Sequence, residues 1–103
     1  MKIDVVFAEP PLSDMSKLST IAEKTGFNCL WTGETKHNPF LSLVLAAENT
    51  TKIELGTAIT VALARSPTVI AYTSWDLAQL SNGRFILGLG TQVRGHIQRR
   101  FGM

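Results

Sequence analysis

A chain of 103 residues, 45% hydrophobic and 17% charged, has the size of one small domain and the composition of a globular protein, which excludes intrinsic disorder. A formal net charge of +2 is too weak to argue for a nucleic-acid partner, and no stretch approaches the roughly 20 apolar residues of a membrane span. The lone cysteine, Cys29, rules out an internal disulfide, and no cleavage-type segment follows "MKIDVVFA", so a cytoplasmic location is expected.

Taken in chain order, "IDVVFA" (3–8) is a short β-branched run that reads as a strand. "SDMSKLSTIAEKTG" (13–26) places Met15, Leu18, Ile21 and Ala22 at helical spacing, with Ser13 or Asp14 to cap its start and Gly26 to end it. "FNCLWT" (27–32) is strand-like again and carries Cys29 in an apolar setting, the pattern of a buried structural thiol rather than a nucleophile. "PFLSLVLAAENT" (39–50) is a nearly all-apolar helix opened by Asn38-Pro39. "KIELGTAITVAL" (52–63) is a β-rich run. "SPTVIAYTSWDLAQLSNG" (66–83) is a helix with Ser66 as cap, Pro67 in its first turn and Asn82-Gly83 as its stop. Tyr72 and Trp75 on this helix are expected in packing or in subunit contacts. "RFILGLG" (84–90) is the fourth strand.

This β-α-β-α-β-α-β alternation contains no hairpin signal, so the strands run parallel through right-handed crossovers with helices covering the sheet. The strands read as apolar on both faces, as buried parallel strands do. An open doubly wound sheet and a β/α barrel share this pattern. A barrel needs eight units and typically about 250 residues, so a chain with four strands would be the N-terminal half of one: residues 1–103 form a single partial domain.

"ILGLGTQVRGH" (86–96) tests the dinucleotide-binding alternative. That fold places G-x-G-x-x-G after its first strand, with an acidic residue about 20 positions on. Here Gly88 and Gly90 follow the fourth strand, the next glycine is Gly95, and no acidic residue follows. The Rossmann reading fails on position and on spacing. Gly88 fits a strand–helix close approach; Gly90 and Thr91 fit contact with a ligand, aided by backbone amides opening toward a helix N-terminus. Arg94, Arg99 and Arg100 fit either a solvated basic helix face or an anion site. His96 has no second ligand at metal spacing, so no metal is expected.

The ordered series "LWTGET", "ELGTAI" and "ARSPTVIAYTSWDLAQLSNGRFILGLGT", with "HIQRRFGM" after it, resembles the luciferase-like monooxygenase superfamily, and within it the branch that uses the deazaflavin coenzyme F-420. The resemblance runs over essentially the whole chain. It implies a TIM-type (β/α)8 barrel with the cofactor at the C-terminal ends of the strands, and hydride transfer between an organic small-molecule substrate and the deazaflavin. FMN-dependent monooxygenases of the same superfamily are the alternative. A reading of another class is an inactive half-barrel that self-associates; the full-length protein is expected to be a homo-oligomer.

The site residues follow from the same resemblance. The family's third strand often ends in a bulge with a non-prolyl cis peptide that supports the ring, and Ala58-Ile59 occupies that position; a plain buried-strand role is the alternative. Gly90, Thr91 and Gln92 match the fourth-strand loop that approaches the cofactor. Several deazaflavin enzymes carry Asp-His after the second strand, where this sequence has Glu34-Thr35; the histidine is missing there, and His37 stands two residues late. Glu34 and His37 are the catalytic candidates, against an ion-pairing or capping role for Glu34 and a solvated loop for His37. Arg65 is a further basic residue at a strand's C-terminal end.

Overall fold

The computed structural model describes residues 2–8, 10–34 and 38–91; His37, Gln92, Arg94, His96, Arg99 and Arg100 lie outside them. Along the chain run β1 (Asp4–Phe7), α1 (Met15–Thr25), β2 (Cys29–Thr32), α2 (Pro39–Asn49), β3 (Glu54–Thr57), β4 (Thr60–Val61), α3 (Pro67–Leu80), β5 (Phe85–Ile86) and β6 (Leu89–Gly90). The expected alternation is present. The third and fourth strands are each interrupted, into β3 and β4 and into β5 and β6.

All described strand pairings are parallel, and the main sheet runs β1-β2-β3-β5 in chain order, with β4-β6 as a second, two-stranded sheet. A doubly wound sheet reverses its strand order and carries helices on both faces. Here α1 packs on α2 and α2 on α3. Their buried side chains join Leu30 of β2 and Leu55 of β3 in a single cluster. Sequential strand order with helices on one face is the wall of a β/α barrel, of which these residues build about half.

The register shows why one face is buried and the other is not. Val5, Leu30, Leu55 and Phe85 stand side by side across the four strands and belong to the helix-side core. Fully burying one leucine contributes about 1.5–3 kcal/mol, and Leu30, Leu43 and Leu55 are all fully buried. The next row is Val6, Trp31, Gly56 and Ile86. It faces the other way, and its Val6 and Ile86 are exposed. The strands are apolar on both faces, as expected, but the expectation that both faces are buried is corrected: only the helix-side face is covered. In a closed barrel the other face is filled by side-chain layers from all eight strands, and four strands leave it open.

Local signals explain most helix ends. The Asn38 side chain accepts from the Phe40 N–H, and Ser66 accepts from the Val69 N–H, each followed by proline at the first helical position. Gly26 ends α1 at φ 97°, where a Cβ would be strained. The expected Ser13 or Asp14 cap is not made. A 3-10 turn over Leu12–Asp14 leads into α1, and Asp14 holds a helical conformation with no side-chain cap bond. Ile21, expected on the apolar face, is 50% exposed: the buried stripe of α1 is Met15, Ser19 and Ala22, and Ile21 lies about 100° around the helix from Ala22.

Candidate functional site

Both strand interruptions occur at one level, the C-terminal end of the sheet. After Thr57 the chain passes through a cis Ala58–Ile59 peptide before β4 begins. In the neighbouring strand, Leu87 and Gly88 separate β5 from β6. The two irregular segments are bonded together. The Thr57 hydroxyl donates to the Gly88 carbonyl at 2.9 Å and accepts from the Gly88 N–H at 2.9 Å, and the Thr60 N–H donates to the same carbonyl at 2.8 Å. From the other side, the Ala58 N–H donates to the Thr32 carbonyl at 2.7 Å.

This crowding demands glycine. A Cβ on Gly88 would overlap the Thr57 carbonyl, and one on Gly33 would sit 2.8 Å from the Ala58 oxygen. A Cβ on Gly90 would collide with Cδ1 of Ile59. Gly88 thus relieves crowding, but against the neighbouring strand β3 and not against a helix, which corrects the strand–helix approach expected from the sequence. Gly90 packs on Ile59, so two of the residues singled out in the sequence meet. Ala58 and Thr91 are exposed at this end, while Ile59 and Gly90 are half-buried.

Glu34 sits just beyond β2 and is buried, and Arg65 is half-buried before α3. The Arg65 guanidinium donates from Nη1 to Oε1 and from Nη2 to Oε2 of Glu34, both at 2.7 Å, a bidentate fork. Oε1 also accepts from the Val61 N–H at 2.7 Å. The Glu34 N–H donates to the Ile59 carbonyl at 3.1 Å. Arg65 in turn lies 5.4 Å above the Phe40 ring in the first turn of α2. The structure therefore gives Glu34 the ion-pairing environment, and Arg65 becomes its partner.

The opposite end of the sheet is held by two residues that the sequence reading did not single out. Arg84 donates to the carbonyls of Ala47, Thr50, Ile53 and Ser81 and to the Thr50 hydroxyl. One Glu23 oxygen accepts from the N–H groups of Thr51, Lys52 and Ile53 at 2.7–3.1 Å. Burial by itself would raise the Glu23 pKa, but these three amides and the Arg84 charge lower it below the usual carboxylate value. The only sequence signal for either was an arginine directly after an Asn-Gly helix stop and a glutamate in the last turn of α1. A cavity of about 350 Å3 opens here, between Lys2, Glu23, Phe27 and Lys52. It lies at the N-terminal ends of the strands, where β/α barrels concentrate stability rather than chemistry.

Cys29 is the buried structural thiol that its setting predicts. Burial pushes its pKa up to about 12, helped by Asp4 and Glu54, the residues paired with it on either side in the sheet. Tyr72 and Trp75 do not pack within the described residues: they are 70% and 67% exposed on the outer pole of α3, away from the Ile70 and Leu77 face that meets the core. No helix among the described residues is long and apolar enough to cross a membrane.

The sequence model of the luciferase-like monooxygenase family matches residues 4–103. The chain belongs to this family. An uncharacterised protein of Mycobacterium tuberculosis is 57% identical over 81 residues, covering 79% of this chain and 24% of its own length. A putative coenzyme F-420-dependent oxidoreductase of the same organism is 34% identical over 99 residues, covering 91% of this chain and 28% of its own. The chain thus spans about a quarter of the length of the curated relatives it matches. Among solved structures, the coenzyme F-420-dependent tetrahydromethanopterin reductase of Methanopyrus kandleri superposes with TM-score 0.85 at 27% identity, over 95% of this chain and 29% of that one. The oxygenating constituent of a diketocamphane monooxygenase from Pseudomonas putida, solved with FMN, gives 0.86 at 18% identity over 100% and 33%, a likeness of fold. An F-420-dependent reductase and a protein solved with FMN therefore share this fold, and the described residues build about half of a TIM-type barrel.

Proposed function

We propose that the protein carrying this chain is an oxidoreductase that exchanges hydride between an organic substrate and coenzyme F-420. The observation that supports this best is the pair of interlocked strand interruptions, Ala58–Ile59 and Leu87–Gly88, at the C-terminal ends of parallel strands. Active sites of β/α barrels form at that end. The superposition with an F-420-dependent reductase and the 34% identity to a putative F-420-dependent oxidoreductase favour the deazaflavin.

The residues present fit such a group. Ala58 and Ile59 offer a small and an apolar surface for a flat ring, and the uncovered barrel-interior face carries Val6 and Ile86. Thr91 offers an exposed hydroxyl. A bound deazaflavin would supply two-electron hydride chemistry. This chain's own residues would do the rest: the 58–61 turn carries the ring, Gly90 lets Ile59 reach its place, and Thr91 with Gln92 contacts the polar part of the cofactor. His37 stands as the candidate proton-exchanging group, because histidine is the residue type whose ordinary pKa lies nearest neutrality.

FMN is the second reading, favoured by Glu34-Thr35 standing where several deazaflavin enzymes have Asp-His. Calorimetric titration of the full-length protein with coenzyme F-420 and, separately, with FMN decides between them. Tighter binding of F-420 is expected. Tighter binding of FMN would transfer the assignment to the flavin branch, and no binding of either would overturn it.

A further inference from the structure

We infer that Glu34 and Arg65 form a positioning pair that sets the 58–61 turn under the cofactor; this rests on the functional reading above, which makes that turn the cofactor's support. Glu34 bonds the turn twice. Its N–H donates to the Ile59 carbonyl, and its carboxylate accepts from the Val61 N–H. The main-chain bond holds the backbone before Thr60 and the side-chain bond holds it after Thr60, so a shift of the carboxylate acts on the segment at Val61. Arg65 holds the carboxylate by both oxygens and is itself fixed over Phe40. Through these contacts the ends of β2 and β4 and the starts of α2 and α3 are tied to one turn.

Stability alone is a poor reason for this arrangement. Taking two charges out of water costs so much that an apolar pair of similar size often does as well or better, whereas removing one partner of a buried pair is damaging. What the fork adds is orientation: a planar guanidinium meeting a carboxylate at two points admits a single relative geometry. The turn it orients is the one that Gly33, Gly88 and Gly90 leave room for. Glu34 thus acts by holding backbone.

The test uses the full-length protein, with coenzyme F-420 and FMN as probes, and Glu34→Gln, Arg65→Met, the double variant and the milder Arg65→Lys. Kd is measured by calorimetry, the visible circular dichroism of the bound cofactor reports ring geometry, and Tm reports folding. Glu34→Gln and Arg65→Met should each raise Kd for the cofactor that the unaltered protein binds by about tenfold or more, as expected for a misplaced support. The double variant should be no worse than either single one. Altered dichroism should accompany the loss. Arg65→Lys, which keeps the charge without the fork, should show the same dichroism change with a smaller rise in Kd, and it serves if the harsher variants do not fold. A lowered Tm with unchanged Kd and dichroism would overturn the inference, as would additive losses. Binding of neither cofactor by the unaltered protein would instead bring down the functional reading, and the pair's role with it.

Discussion

The two ends of this half-barrel use the same device for different purposes. At the N-terminal end, Glu23 and Arg84 spend their charges on the amides and carbonyls of residues 47–53 and on the end of α3. They close the turn between α2 and β3, next to which β2 and β3 run in unbroken register. At the C-terminal end Glu34 also bonds backbone, with Arg65 gripping its carboxylate, but the backbone it holds is interrupted and leaves Ala58 and Thr91 open to solvent. A charged clamp on regular structure makes a stable base. A charged clamp on irregular structure holds a shape that regular pairing would not, as the proposed cofactor support requires.

Substitutions at the two ends should separate these roles. Arg84→Met leaves several part-buried acceptors without a donor and should cost about 3 kcal/mol of unfolding free energy, read by denaturant titration, with cofactor affinity in the remaining folded protein unchanged. Gly88→Ala forces a Cβ into the Thr57 carbonyl. It should cost less, about 1–3 kcal/mol, yet lower cofactor affinity, because the clash displaces the turn proposed to support the ring. If Gly88→Ala left binding intact while Arg84→Met abolished it, the division of labour between the ends would be wrong.

Smaller effects sharpen the same contrast. The folded-state pKa of Glu23 lies below its unfolded value of 4.5, so its contribution is fully present above that value and is lost as pH falls through the folded pKa. A stability profile from pH 6 to pH 2 should therefore drop less steeply in Glu23→Gln than in the unaltered protein. Cys29, with its thiol raised to about 12, should resist alkylation by iodoacetamide at pH 7 and react only on unfolding, as followed by mass spectrometry. Rapid labelling of the folded protein would show that the β2 row is not closed as described.

Much of this was legible from the sequence because it is local. Asn38-Pro39 and Ser66-Pro67 mark helix starts, and Asn82-Gly83 marks a stop: both residues have positive φ. Alternating apolar segments predicted parallel strands without any knowledge of contacts. The pair Ala58-Ile59 was reached through the family resemblance, and the peptide between them is cis. What sequence could not show depends on segments far apart in the chain. Glu34 and Arg65 are 31 positions apart and meet only because the chain leaving β2 is bonded to the segment around β4. Arg84 reaches Ala47 across 37 positions because it stands just before β5, which pairs with β3 next to the end of α2. The α1 cap failed because a preceding 3-10 turn already supplied helical geometry at Asp14, and Ile21 failed because α1 buries only a narrow stripe.

The central claim is that a redox cofactor rests on the 58–61 turn at the C-terminal ends of these strands. A crystal structure of the full-length protein with coenzyme F-420 bound tests it most directly. The ring is predicted to lie against Ala58 and Ile59, with the Glu34–Arg65 fork intact behind them. A ring bound elsewhere, at the N-terminal cavity or with the turn untouched, would contradict it.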